Sequence, residues 1–253
     1  MRSLFGARGS RNRASFGRGL PVGGDGVPVG ADARGRLLLL GSHRSVPYDV
    51  VLIGGVWTAQ VLALRAARGG VRVVVETGRA GLWAGVAEAA GAEVCGVGRV
   101  PAAGADEGCP VLVVRDCGMR PPRGRVAPAP WQSVLTLLPY LSPVAPGLVR
   151  NAALVGVQRV SPQEAEHLGR LLALSPTERG TLPGLADGVT LWCADGPERH
   201  WVTTAPDPSE SALLGPPRRM DPAGDRAPAD NGAIPLPSIG HHGLGNGARE
   251  GDG

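Results

Sequence analysis

The chain has 253 residues, and all 26 of its Lys and Arg positions are Arg. Without Lys it cannot use a P-loop lysine, a Schiff-base lysine or a lysine general base. The formal charge of +4 is also unevenly placed, because Arg2, Arg8, Arg11, Arg13 and Arg18 stand in the first twenty residues with no acid. The rest is close to neutral, so no basic folded face is expected and nucleic acid is not an expected partner.

Residues 1–35 read as a disordered basic arm followed by a Gly-rich linker, a solvated tail with at most peripheral contact to a membrane. Arg36 to Leu40 is an apolar run suited to an edge strand. Asp49 to Ile53 is a second, ended by Gly54-Gly55, and a helix-period segment follows with Val56, Ala59, Leu62, Ala63 and Ala66 on one face. Val71 to Val75 repeats the buried-strand pattern and ends at Glu76. Two continuously apolar runs joined by a helix are the pattern of parallel strands covered on both faces.

This strand–turn–helix–strand unit is Rossmann-like, with glycines at the first turn and an acid where a ribose-binding carboxylate falls. Its fingerprint is broken. With Gly54 as the first glycine of G-x-G-x-x-G, the second and third positions hold Val56 and Ala59, and Trp57 adds a large ring to the first helical turn. The expected result is an anion site narrowed or filled by protein. The alternative is a nucleotide or NAD(P) held by Gly54, Gly55 and Glu76.

Further along, Ala80 to Ala90 reads as a helix, Ala92 to Val97 as a strand and Gly98 to Gly108 as a loop. Pro110 to Val114 is a strand running into RDCGMRPPRGR, where Arg115, Arg120, Arg123 and Arg125 outweigh Asp116. A Pro-stiffened basic loop after a parallel strand suits contact with an anion or an acidic protein partner. The GC-rich composition also gives a plain alternative, a solvated loop. Trp131 to Leu141 reads as a helix stopped by Pro139. Ala152 to Val157 is a strand. Ser161, Pro162 and Glu164 form a capping box opening a helix to Leu174. Gly188 to Cys193 and His200 to Thr204 form a hairpin, and Pro208 to Leu214 a short helix. From Gly215 on, nine Gly and six Pro in 39 residues read as a disordered tail.

The runs VVLIGGVWTAQVLALRA, VVVET, WQSVLTLLPYLSP, LVGVQRVSPQEA and ALLGPPRR together resemble small actinobacterial proteins associated with type VII secretion, of EccE type. The resemblance spans about residues 36–219 and implies a cytoplasmic accessory role beside a secretion complex, with secretion-system components as partners. It transfers no catalytic residue.

No G-x-S-x-G elbow, H-E-x-x-H or paired-carboxylate motif appears. Glu76 and Asp116 are the acids at expected strand ends, where Glu76 could pair with Arg79 and Asp116 could bond its own loop. His43, His167 and His200 form no constellation, and the His241-His242 pair has no further ligands. Cys95, Cys109, Cys117 and Cys193 lack zinc spacing and read as free thiols in a reducing cytoplasm. No run reaches the ~18 apolar residues of a membrane-spanning helix. The expectation is one α/β domain over residues 36–214, with five or six largely parallel strands, serving as a non-catalytic interaction module without a cofactor.

Overall fold

The computed structural model describes residues 26–42, 44–102, 104–119, 122, 124–194 and 197–219. The fold is Rossmann-like α/β: a single mixed sheet flanked by helices, with ten strands among the described residues. In chain order the strands are β1 (Val27–Ala31), β2 (Leu37–Leu40), β3 (Tyr48–Ile53), β4 (Arg72–Thr77), β5 (Glu93–Cys95) and β6 (Val111–Asp116). They continue with β7 (Gln132–Leu138), β8 (Leu154–Val157), β9 (Val189–Ala194) and β10 (Arg199–Thr203). The helices are α1 (Val56–Arg68), α2 (Ala80–Ala90), α3 (Ala145–Asn151), α4 (Pro162–Leu171), α5 (Pro176–Thr181) and α6 (Pro208–Leu214).

The sheet order is β2-β1-β10-β9-β8-β3-β7-β6-β4-β5. From β8 to β5 all neighbours are parallel, and from β8 to β2 all are antiparallel. The pleat divides the side chains between the two faces. Val50, Leu52, Val73, Val75, Leu112 and Val114 pack with Trp57 and Leu62 of α1 and Trp83 of α2. On the opposite face Val51, Ile53, Val155 and Val157 pack with Val149 of α3 and Leu168 of α4. Farther along that face, β4, β6 and β7 carry Val74, Val111, Val113 and Val134 under Val100, Ala105 and Val126 from loops.

Several elements depart from the sequence reading. The fold starts earlier than residue 36, because Val27–Ala31, placed in the linker, pairs with both β2 and β10. It also ends later than residue 214: Arg219 is buried, its Nε donates to the Arg159 carbonyl at 2.7 Å, and its Nη2 donates to the Pro139 carbonyl at 2.8 Å. Residues 1–25 and 220–253 lie outside the described ones. The segment expected as a helix from Trp131 to Leu141 is strand β7. It is buried along its whole length between β3 and β6, and such a strand shows no alternation to distinguish it from a buried helix. Trp131 itself has φ of 58°, outside the right-handed helical region.

Capping chemistry explains where three short helices start. Ser161 with Glu164, Ser175 with Glu178 and Asp207 with Glu210 each form a complete capping box followed by Pro at the first turn. The last box has a second task. Glu210 is fully buried and its two oxygens accept from Arg65 Nε at 2.9 Å and Nη2 at 2.8 Å. Arg65 also donates to the Pro28, Val29 and Ala205 carbonyls, so all five guanidinium N–H groups have acceptors. One side chain on α1 thereby ties β1 and α6 to the domain.

Removing Arg65 leaves buried Glu210 with only the half-exposed Arg68, 3.1 Å from Oε1, as a cationic partner and takes a donor from the Pro28, Val29 and Ala205 carbonyls. Arg65→Met is expected to cost about 3 to 5 kcal/mol of unfolding free energy. Arg36→Ala, which breaks the solvent-facing pair with Asp32, should leave stability nearly unchanged. Urea denaturation of the two variants checks this, and near-equal effects would contradict the clamp.

Candidate functional site

In an open parallel sheet, ligands sit beyond the carboxyl ends of the strands where the strand order reverses. Here that place lies between β7 and β8, which flank β3. The connection from β3 to α1 is only Gly54-Gly55, too short for the eight-residue G-x-x-x-x-G-K-[ST] loop that cradles a nucleotide's phosphates.

The α1 N-terminus is occupied by the protein's own groups. Gly55 N–H donates to Gln158 Oε1 at 2.8 Å, and Gln158 Nε2 donates to Thr58 Oγ1 at 2.6 Å and Thr190 Oγ1 at 3.3 Å. Gln158 is buried, as are Val56 and Trp57. Residues 215–219 then pass over this end, with Trp57 Nε1 donating to the Gly215 carbonyl at 3.2 Å. A β-carbon at Gly54 would collide with the Gln158 side chain, and one at Gly55 with the Arg219 carbonyl. The glycines therefore make room for Gln158 and for residues 218 and 219.

Glu76, the expected ribose acid, is fully buried and engaged. Its Oε1 accepts from Gly98 N–H at 2.7 Å and from Arg115 Nη2 at 3.2 Å, and its Oε2 accepts from Arg115 Nε. Burial pushes the carboxyl up, but the Arg115 hydrogen bonds and charge and the Gly98 amide outweigh it and hold it below the usual range. The expected pairing of Glu76 with Arg79 is not what forms. Arg79 Nη2 donates to Asp116 Oδ1 at 2.7 Å and Trp83 Nε1 to Asp116 Oδ2 at 2.8 Å. The reason is the pleat: in the register Glu76↔Arg115 and Thr77↔Asp116, consecutive residues face opposite sides of the sheet.

The two described arginines of the basic loop are thus separated. Arg115 lies inside β6 and is buried against Glu76, whereas Arg125 is exposed. Arg120 and Arg123 lie outside the described residues, as does His43. His167 is exposed on α4, its Nδ1 at 2.9 Å from the Gln163 carbonyl, and His200 sits in β10. No group of three or more His, Cys, Asp or Glu among the described residues could hold a metal. The Cys117 and Cys193 thiols are pushed up to about 11 and about 12 by burial, which suppresses the nucleophilic thiolate. The described helices include none long and apolar enough to cross a membrane.

The sequence reading missed Gln158. A glutamine ending an apolar strand run, three positions before a capping box, does not announce a bond to an amide 103 residues earlier.

No family model matches the chain, and no curated protein matches it. Among solved structures, the chain is similar to the one described as VirB4 of Thermoanaerobacter pseudethanolicus. The TM-score is 0.49 and the identity 11%, over 74% of this chain and 98% of that chain.

Three glutamates with depressed values set an acid limit on the fold. Burial raises Glu76 and Glu164, but hydrogen bonds and Arg charge outweigh it, and Glu178 is lowered chiefly by the Ser175 amide. Groups depressed in the folded state contribute stability above the unfolded value of 4.5, and that contribution disappears as pH falls through the lower folded values. The melting temperature should therefore drop on acidification below about pH 4.5. A pH series of thermal melts checks this, and a melting temperature that rises with acid would contradict it.

Proposed function

We propose that the chain is a non-catalytic Rossmann-like interaction module, a cytoplasmic accessory protein of a secretion system. One observation carries the non-catalytic part: the Gly55 amide, the group that would meet a phosphate, is bonded to Gln158 beneath residues 215–219. Glu76, the group that would meet a ribose, is bonded to Arg115 and Gly98. Breaking either arrangement exposes a buried polar group, a cost that any nucleotide would have to offset.

The secretion assignment rests on the resemblance of residues 36–219 to small actinobacterial proteins associated with type VII secretion. A protein partner is assigned to the loop after β6. Exposed Met119 and Arg125 lie there with Arg120 and Arg123, and fixed guanidinium groups can bind carboxylates bidentately.

The alternative, a nucleotide or NAD(P) bound at Gly54, Gly55 and Glu76, separates cleanly in a thermal-shift assay with NAD, NADP, FAD, ATP and S-adenosylmethionine. A ligand at a hundredfold excess over its Kd adds about 2.7 kcal/mol, a rise of a few degrees or more. The proposal expects no rise with any of the five. A rise with one of them that Gln158→Glu abolishes would favour the nucleotide reading.

A further inference from the structure

The loop-covered face of β4, β6 and β7 holds a cleft of about 330 Å³ that the proposed module does not use. Its walls are Val100, Pro101 and Ala102 on one loop and Val126 and Ala129 on the other; Glu76 and the exposed Arg125 also line it, and Arg115 and Gln132 supply its buried donors. These last two residues are buried, and both have donors to spare.

Arg115 uses its Nε and one Nη2 hydrogen on Glu76 and one Nη1 hydrogen on the Gly124 carbonyl at 3.2 Å. A guanidinium carries five N–H groups, so two remain. The pairing with Glu76 occupies the Nε side of the guanidinium, so the spare hydrogens are one on Nη1 and one on Nη2. Gln132 Nε2 donates one hydrogen to the Ala127 carbonyl at 2.8 Å and keeps the other. Three N–H donors therefore belong to a concave, mostly apolar site, the usual composition of a small-molecule pocket.

The charge balance narrows the ligand. Glu76 already neutralises Arg115, and the exposed Arg125 adds a second guanidinium to the lining. The lining therefore carries two guanidinium groups against one carboxylate, a surplus that one negative charge balances and a phosphate dianion exceeds. A single negative charge within reach of the spare Arg115 and Gln132 donors is tolerated, and the walls favour an apolar remainder.

We infer that this cleft binds a small monocarboxylate with a compact apolar body. The site lies on the sheet face away from α1, so it is independent of the filled crevice at Gly55. Nothing about it requires a covalent step.

Isothermal titration of the full chain with benzoate, butyrate and inorganic phosphate tests the inference. Saturable binding of at least one carboxylate with Kd below about 10 mM is expected, with phosphate at least about tenfold weaker. Arg115→Ala would strand Glu76 and could unfold the chain, so the informative variants are Ala129→Phe and Ala102→Trp, which fill the cleft from either loop. With the melting temperature retained, carboxylate binding should weaken by at least about tenfold in both. Absence of carboxylate binding to the parent, equal binding of phosphate, or undiminished binding to both variants overturns the site.

Discussion

The contact between the Gly55 amide and the Gln158 side chain constrains the centre of the molecule. It joins the end of β3 to the end of β8, across the point where the sheet changes from the α1 side to the α3 side. A helix N-terminus is electropositive and has unpaired amides, so something must meet it. In a nucleotide-binding unit that partner is phosphate. Here a neutral amide oxygen serves instead, and its own NH₂ is held by Thr58 and Thr190, so the partner is fixed in orientation. Residues 215–219 cover the arrangement, and Arg219 fastens them to the carbonyls of Pro139 and Arg159 after β7 and β8.

The charged groups at the other strand ends are organised by the same economy of burial. A buried carboxylate without a partner is strongly disfavoured, and each of Glu76, Asp116 and Glu210 has an Arg. The pleat assigns Glu76–Arg115 to the loop-covered face and Asp116–Arg79 to the face of α2, where Trp83 adds its indole N–H. These acids and arginines hold loops and helices to the sheet.

Much of the parallel core was legible because it depends on local pattern. The apolar runs of β3, β4 and β6, the helical periods of α1 and α2 and the Ser161 capping box all declare themselves within a few residues. The hairpin of β9 and β10 did so through the turn-forming residue types between its two apolar runs. Strand β7 was misread as a helix because a strand buried on both faces has no alternation. Strand β1, VPVGA, was missed because its Pro and Gly signal a linker, whereas pairing with β2 and β10 overrides that signal. At the site, Val56 and Trp57 already pointed to a filled crevice. The groups that fill it come from more than 100 residues away in sequence, and such contacts leave no local trace.

Amide exchange at Gly55 tests the closed crevice most directly. Its N–H is buried and bonded to Gln158, so its exchange should be protected nearly as strongly as the central strands, and adding ATP should leave it unchanged. Exchange at the rate of an exposed loop, or protection that increases with ATP, would contradict the account.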